Sequence, residues 1–174
     1  MVRQMKFYLA YGSNLSVEQM RYRCPDAKHI GTAEIKDYRL LFKGSKTGSY
    51  LTIEPMEGRK VPVLVWEVSD EDEASLDIYE GYPVFYQKHE MEVDVKSLTG
   101  SEPIGKVNAF VYAMDPERPL GQPTLSYYRV CSNGYDRFGF DQKILEKAYD
   151  ESWGEIVKRR FDISRMKLFT GGSN

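Results

Sequence analysis

Met5-Lys6-Phe7-Tyr8-Leu9-Ala10-Tyr11-Gly12-Ser13-Asn14-Leu15 is the stretch on which the fold turns. Met5 to Tyr11 is an apolar and aromatic run that Gly12 ends, so it reads as a first strand. Ser16-Val17-Glu18-Gln19 follows, and a Ser with Gln three residues later is a capping-box pattern. It predicts a short helix that stops before Pro25. A strand passing through a glycine turn into a helix can aim several backbone N–H groups at one point, with the positive end of the helix dipole behind them. The natural guest is a carboxylate or a phosphate. Gly-Ser-Asn is also ordinary turn composition, and the spacing of a P-loop or a dinucleotide fingerprint is missing.

Downstream the pattern stays strand-rich. Ile35 to Lys43 and Tyr50 to Glu54 read as two strands joined by a Gly/Ser-rich turn. Val61 to Val68 reads as a third, with Pro62 near its start, where the missing donor is tolerated. Ser69 caps a helix whose acidic first turn, Asp70-Glu71-Asp72, suits the positive end of the dipole. Gly81 and Pro83 end it. Tyr86 to Val95 alternates His89, Met91, Val93 and Val95 against Lys88, Glu90, Glu92 and Asp94, the period of a half-buried strand. Val107 to Met114 is another strand. Ser126 to Asn133 reads as helical, and Asp141 to Trp153 is a better helix with Ile144, Leu145, Ala148 and Tyr149 on one face. The apolar residues after Gly154 have no clear placement. With about six strands and three or four short helices, and strands following strands, an α+β fold around a mainly antiparallel sheet or barrel fits better than a doubly wound parallel sheet.

Composition narrows the function. The 174 residues suit one domain or one domain with an appendage. With 24 Lys and Arg against 26 Asp and Glu, the formal charge is -2. That balance argues against a protein built to neutralise nucleic-acid phosphates. The longest apolar stretch, Val61 to Trp66, is far too short to span a bilayer, and no signal-peptide core is visible. Cys24 and Cys131 are the only cysteines, too few for a disulfide framework, so a reduced cytoplasmic setting is the expectation. Thirteen tyrosines point to a lined pocket or an aromatic β-rich core.

Three further residues are candidates for chemistry. Glu80 lies four residues after Leu76, so the two share a helix face. If Leu76 faces the core, the Glu80 carboxyl is desolvated, and its pKa rises toward the range of a general acid/base. The bland alternative is one more solvated acid on an acidic helix. Tyr86 and Tyr127 can orient a carboxyl or a substrate amide, or simply pack. Other chemistries find little support. His29 and His89 have no zinc spacing, His89 sits on the apolar side of its strand by alternation, and neither cysteine has a nucleophile signature. Lys158-Arg159-Arg160 is a short basic run that reads as a solvated face. No metal and no cofactor are expected.

Taken together, Phe7 to Leu15, the segment Ser75-Leu76-Asp77-Ile78-Tyr79-Glu80-Gly81 followed by Tyr86, and Tyr127 with Asn133-Gly134 resemble the gamma-glutamylcyclotransferase superfamily, the AIG2-like fold, in order and spacing from about Lys6 to Ala148. The resemblance implies a small mixed, mainly antiparallel β-barrel with short helices packed around it. It implies a substrate-binding set of Tyr11, Gly12, Ser13, Asn14, Leu15, Tyr86 and Tyr127, with the backbone amides of Gly12 to Leu15 on the substrate's α-carboxylate, and Glu80 as the acid/base. Ser13-Asn14 looks more like the gamma-glutamylcyclotransferase branch than branches with Gly-Thr-Leu, and the glutathione-specific branch differs after its glycine. The implied domain is residues 1–153, with 154–174 as an extension of unknown role.

The activity implied is conversion of a gamma-glutamyl amide or dipeptide into 5-oxoproline and a free amine or amino acid. A homodimer is plausible from the same resemblance; nucleic-acid and membrane partners are not expected. The alternatives are a binding protein of the same fold without turnover, and an unrelated β-rich interaction domain in which Glu80 and Gly12 stand far apart. Leaving-group specificity is expected in loops such as Gly44 to Ser49 and Asp115 to Pro123.

Overall fold

Five strands, β1 (Lys6–Ala10), β2 (Lys28–Ser45), β3 (Gly48–Val68), β4 (Tyr86–Lys96) and β5 (Pro103–Met114), close into a barrel in the order β1-β3-β2-β4-β5. The structure is a computed structural model that describes residues 4–45, 48–100 and 102–170, with side chains of the last helix described up to residue 155 and at Val157 and Lys158. All pairings are antiparallel except the closure, where β1 runs parallel to β5 with Tyr8 opposite Phe110. The helices α1 (Val17–Arg23), α2 (Asp70–Glu80), α3 (Leu125–Phe138) and α4 (Gln142–Thr170) lie outside the barrel. α4 rests on β2, and α3 on the 3-10 turn Ser13–Leu15 that follows β1. This is the mixed, mainly antiparallel barrel that the sequence and the resemblance implied.

Two glycines permit the close approaches. A Cβ at Gly31 would collide with the Lys96 carbonyl where β2 meets β4, and one at Gly134 would collide with Leu15. The core runs from Leu9, Leu64 and Val111 in the barrel out to Leu76, Tyr135 and Leu145 of the helices. Each such side chain contributes roughly 1.5–3 kcal/mol on burial.

Several local expectations change. Tyr50 to Glu54 and Val61 to Val68 are one strand, β3, so the barrel has five strands rather than six. Between the two halves the ladder to β2 is offset: Lys36 is opposite Lys60 and Tyr38 opposite Pro55, so residues 56–59 bulge out with no opposite residue on β2, and Gly58 N–H donates to Asp37 Oδ1 at 2.9 Å instead. Pro62 is therefore mid-strand, opposite Glu34; β1 pairs with β3 only from Leu64 on, so at Pro62 the strand has β2 alone as neighbour. His89 is exposed rather than on the covered face, because Tyr86 is buried at one end of β4 and Val93 and Val95, of opposite parity, at the other.

The capping box after the first turn is only half formed: Ser16 Oγ accepts from Gln19 N at 3.3 Å, while Gln19 Oε1 is buried without a partner among the described residues. The box at Ser69 is complete, with Asp72 as the third residue, and Gly81 ends α2 in the left-handed conformation at φ 65°. α3 extends from Leu125 to Phe138, further than Ser126 to Asn133. α4 is not short: it continues through Trp153 and Gly154 to Thr170, so no break in secondary structure falls at residue 153. Arg39 and Arg59 bind Glu151 on α4, and Ser152 Oγ accepts from Phe42 N at 2.9 Å, tying the helix to β2. Leu145 and Ala148 are fully buried on the expected face, with Tyr149 half-exposed beside them. Lys158 of the basic run is exposed. Lys46 and Thr47 of the Gly44–Ser49 turn, and residues 171–174, lie outside the described residues.

Candidate active site

β1 ends at Ala10, and the chain turns at Gly12 into the 3-10 turn Ser13–Leu15. α2 ends at Glu80 on the opposite wall. Between them is a cavity of about 410 Å³, walled by Tyr8, Tyr11, Gly12, Asn14, Glu80 and Tyr86 among others. Glu80 and the glycine turn therefore share one hollow, which removes the reading that required them far apart. Glu80 is the only charged residue lining the hollow among the described residues.

The turn presents unused donors. Leu15 N–H donates to Gly12 O and Ser16 N–H to Ser13 O, both at 3.0 Å. The N–H groups of Gly12, Ser13 and Asn14 have no acceptor among the described residues, as expected of the first amides of a helical turn. Such a row is a ready site for an anion. Leu15 is the exception in the expected binding set: its amide is committed inside the turn, and its side chain is fully buried under Gly134 rather than facing the cavity. Gly12 has a steric reason as well, since a Cβ there would stand 3.1 Å from the Tyr127 hydroxyl.

Asn14 is the hub of the site and is 3% exposed. Arg23 Nη1 donates to its Oδ1. Arginine has only donors, so this bond dictates that the Asn14 amide group faces the other way. There Nδ2 donates to the Tyr8 hydroxyl at 2.9 Å and to Glu80 Oε1 at 3.3 Å. Trp66 Nε1 holds the Asn14 backbone carbonyl at 3.1 Å. The Arg23 guanidinium in turn stacks on Tyr79 at 3.6 Å, and Tyr79 shares a hydrogen bond with Ser13 Oγ at 3.3 Å.

Glu80 is half-buried, one turn beyond the fully buried Leu76. Desolvation pushes its carboxyl up to about 7, with the Arg23 charge pulling the other way. Its seat at the C-terminal, negative end of α2 acts in the same direction as desolvation. The group is thus poised to take and return a proton near neutral pH.

The tyrosines do less at the carboxyl than expected. Tyr86 OH donates to Leu51 O at 2.7 Å, and Leu51 N–H donates to Tyr127 OH at 3.1 Å. Together they bracket one residue of β3 rather than touch Glu80. Tyr11 OH donates to Tyr112 O at 2.6 Å, and Tyr112 OH to Asp77 at 2.6 Å. None of the described residues of Gly44–Ser49 and Asp115–Pro123 lines the cavity; Tyr50, Ile78, Tyr79 and Phe85 do. Sequence reasoning missed Tyr8, Arg23 and Trp66. Tyr8 was visible only as part of a strand, and nothing in the spacing of Arg23 or Trp66 connects them to Asn14.

Residues 8–136 match the family model described as gamma-glutamyl cyclotransferase, AIG2-like. A gamma-glutamylcyclotransferase of Bos taurus is 37% identical over 147 residues, spanning 80% of this chain and 75% of its own. One of Mus musculus is 29% identical over 172 residues, spanning 90% and 86%. A solved structure of a gamma-glutamyl cyclotransferase superposes with a TM-score of 0.71 at 27% identity, over 83% of this chain and 86% of that one. With the matched segment containing the turn, Glu80 and Tyr127 alike, the chain belongs to the gamma-glutamyl cyclotransferase, AIG2-like family.

Proposed function

We propose that this protein converts a gamma-glutamyl amide or dipeptide into 5-oxoproline and a free amine or amino acid, with Glu80 as general acid/base. The observation that carries the reading is one carboxyl raised to about 7 across a cavity from three backbone amides that have no acceptor among the described residues. Those amides, on Gly12, Ser13 and Asn14, suit the substrate's α-carboxylate. Holding the glutamyl chain folded places its α-amine against its own γ-carbonyl. Such intramolecular attack reaches effective molarities on the order of 10⁵ M or more.

The remaining work is proton transfer. The α-ammonium gives up two protons on its way to the ring amide nitrogen, and the leaving nitrogen gains two on its way to an ammonium. Glu80 takes a proton from the attacking nitrogen and passes it to the leaving one as the carbonyl re-forms and the old C–N bond breaks. No covalent intermediate is needed. A reducing, cytoplasmic setting belongs to the same proposal, since Cys24 and Cys131 are both free, buried thiols. No helix among the described residues is long and apolar enough to cross a membrane.

The test is 5-oxoproline release by purified protein from a panel of gamma-glutamyl dipeptides, gamma-glutamyl amines and ε-(gamma-glutamyl)lysine, repeated with Glu80→Gln. Equal release by the variant removes Glu80 from the mechanism. Binding of 5-oxoproline and gamma-glutamyl amides with no product from the wild type turns the reading into a binding protein.

A further inference from the structure

The attacked carbonyl develops negative charge on oxygen, and a donor preorganised for that oxygen is commonly the largest electrostatic contribution to acyl transfer. Two of the cavity's tyrosine hydroxyl protons have no acceptor among the described residues, that of Tyr50 on a part-exposed ring and that of Tyr8 on a buried one. The protons of Tyr11, Tyr86 and Tyr112 go to Tyr112 O, Leu51 O and Asp77. The Tyr127 oxygen accepts from Leu51 N–H and lies by Cys131. The Tyr79 hydroxyl is engaged with Ser13 Oγ. Tyr8 differs: its oxygen accepts from Asn14 Nδ2 at 2.9 Å, and its proton has no acceptor among the described residues.

The position suits the task. The nitrogen that bonds the Tyr8 oxygen also bonds Glu80 Oε1 at 3.3 Å, so hydroxyl and carboxyl are joined through a single atom on the wall of one cavity. The tetrahedral carbon would carry both nitrogens that Glu80 serves and the oxygen that needs a donor, all one bond from the same centre. The ring itself is fixed by stacking on Phe110 at 5.4 Å and edge packing on Tyr112 at 5.8 Å. Burial keeps the hydroxyl well above the usual tyrosine range, so it remains a donor at working pH.

We infer that Tyr8 is a catalytic residue whose hydroxyl donates a hydrogen bond to the γ-carbonyl oxygen as it becomes an oxyanion, held in that orientation by the Arg23–Asn14 hydrogen bond. The inference rests on the cyclotransferase reading. No proton leaves Tyr8: the oxygen gains the carbonyl π electrons as the C–N bond forms and returns them as the leaving C–N bond breaks. Arg23 is a positioning residue. It selects the Asn14 rotamer that sends Nδ2 to the Tyr8 oxygen, which leaves the O–H free to point into the cavity, and its charge polarises the chain.

Tyr8→Phe keeps the ring and its packing. The expected result is a fall in kcat of about 10²-fold, with KM for a dipeptide such as gamma-glutamyl-alanine changed less than threefold. Arg23→Met is expected to lower kcat by roughly tenfold, and Arg23→Lys to recover part of it. Fluorotyrosine placed at position 8 supplies a probe that retains shape and also reports without turnover. Its ¹⁹F resonance is expected to move when gamma-glutamyl-alanine binds to the Glu80→Gln protein, and kcat is expected to follow the phenol's acidity in a series of fluorotyrosines. A Tyr8→Phe enzyme within threefold of wild-type kcat overturns the inference, as does a ¹⁹F signal that stays put while the dipeptide binds. Absence of 5-oxoproline from the wild type strikes the proposed function, and with it the catalytic role of Tyr8, while the ¹⁹F measurement then still decides whether the Tyr8 hydroxyl meets the bound dipeptide.

Discussion

The two ends of α2 carry similar residues in opposite chemical states. In its first two turns, Glu73 accepts from Lys6 at 2.5 Å and from Lys88 at 2.8 Å, and Asp77 takes Lys88 at 2.7 Å and the Tyr112 hydroxyl at 2.6 Å. Burial alone would raise the Glu73 carboxyl, but its two lysine bonds prevail and hold it below the usual range. Seven residues on, Glu80 meets an amide group of Asn14 and aromatic walls, with Arg23 as the cation that acts on it, and burial prevails. One helix thus holds an ion-paired carboxylate at one end and a desolvated carboxyl at the other. What separates them is the number of cations in contact, not the helix, its propensity or the residue type.

The contrast can be broken most severely at Glu80 itself. Glu80→Gln, which still accepts from Asn14, is expected to lower kcat for 5-oxoproline formation by ~10³-fold, read by product release from gamma-glutamyl dipeptides. The same variant is expected to be the more stable protein at alkaline pH. Glu80's folded pKa of about 7 lies above its unfolded value of 4.5. Its favourable contribution is therefore complete below the unfolded value and is lost as pH rises through about 7. At pH 8 the Gln protein should gain on the order of 3 kcal/mol over wild type, and at pH 4 the two should unfold alike, a difference that thermal denaturation at both pH values measures.

At the anchored end, Lys88→Met should cost about 1–3 kcal/mol at pH 7, because Glu73 and Asp77 each lose a hydrogen-bonded cation. Here the sign is reversed. Glu73 is held low, so its contribution is present above the unfolded carboxylate value and lost as pH falls through the folded one. The gap between Lys88→Met and wild type should therefore narrow in acid, in urea titrations at pH 7 and pH 3. The smallest effect is expected from Arg23→Gln. Removing the cation near Glu80 should move the midpoint of the pH–rate profile upward by ~1 pH unit, and a profile that stays in place would detach Arg23 from the carboxyl.

Much of this architecture was readable before any coordinates. Ser69, the acidic first turn and Gly81 delimited α2 because caps act through the nearest few peptide groups, and period-two alternation marked the Val93 and Val95 end of β4 for the same local reason. The Glu80 assignment followed from its share of the Leu76 face together with the family resemblance. The errors were non-local. Tyr50 to Glu54 and Val61 to Val68 were expected as separate strands, whereas both pair with β2 as parts of one β3. Leu15 was expected in the binding set, but the 3-10 turn takes its amide and Gly134 covers its side chain. Tyr86 and Tyr127 do line the cavity with Glu80, but their hydroxyls are engaged at the backbone of Leu51, which no local pattern signals.

The residues alone determined the type of most segments, where α2 starts and stops, and that a carboxyl one turn after a core leucine follows a glycine turn in family order. Those properties depend on side-chain period and on hydrogen bonds only a few residues long. Closure of the barrel decided the rest. It brought Asn14, Arg23, Tyr8 and Glu80 together from β1, its turn, α1 and α2, and it left the buried Tyr8 hydroxyl proton and three amides without acceptors among the described residues. Which donors stay unused is a property of every neighbour at once, and burial and charge take their values only when those neighbours are in place.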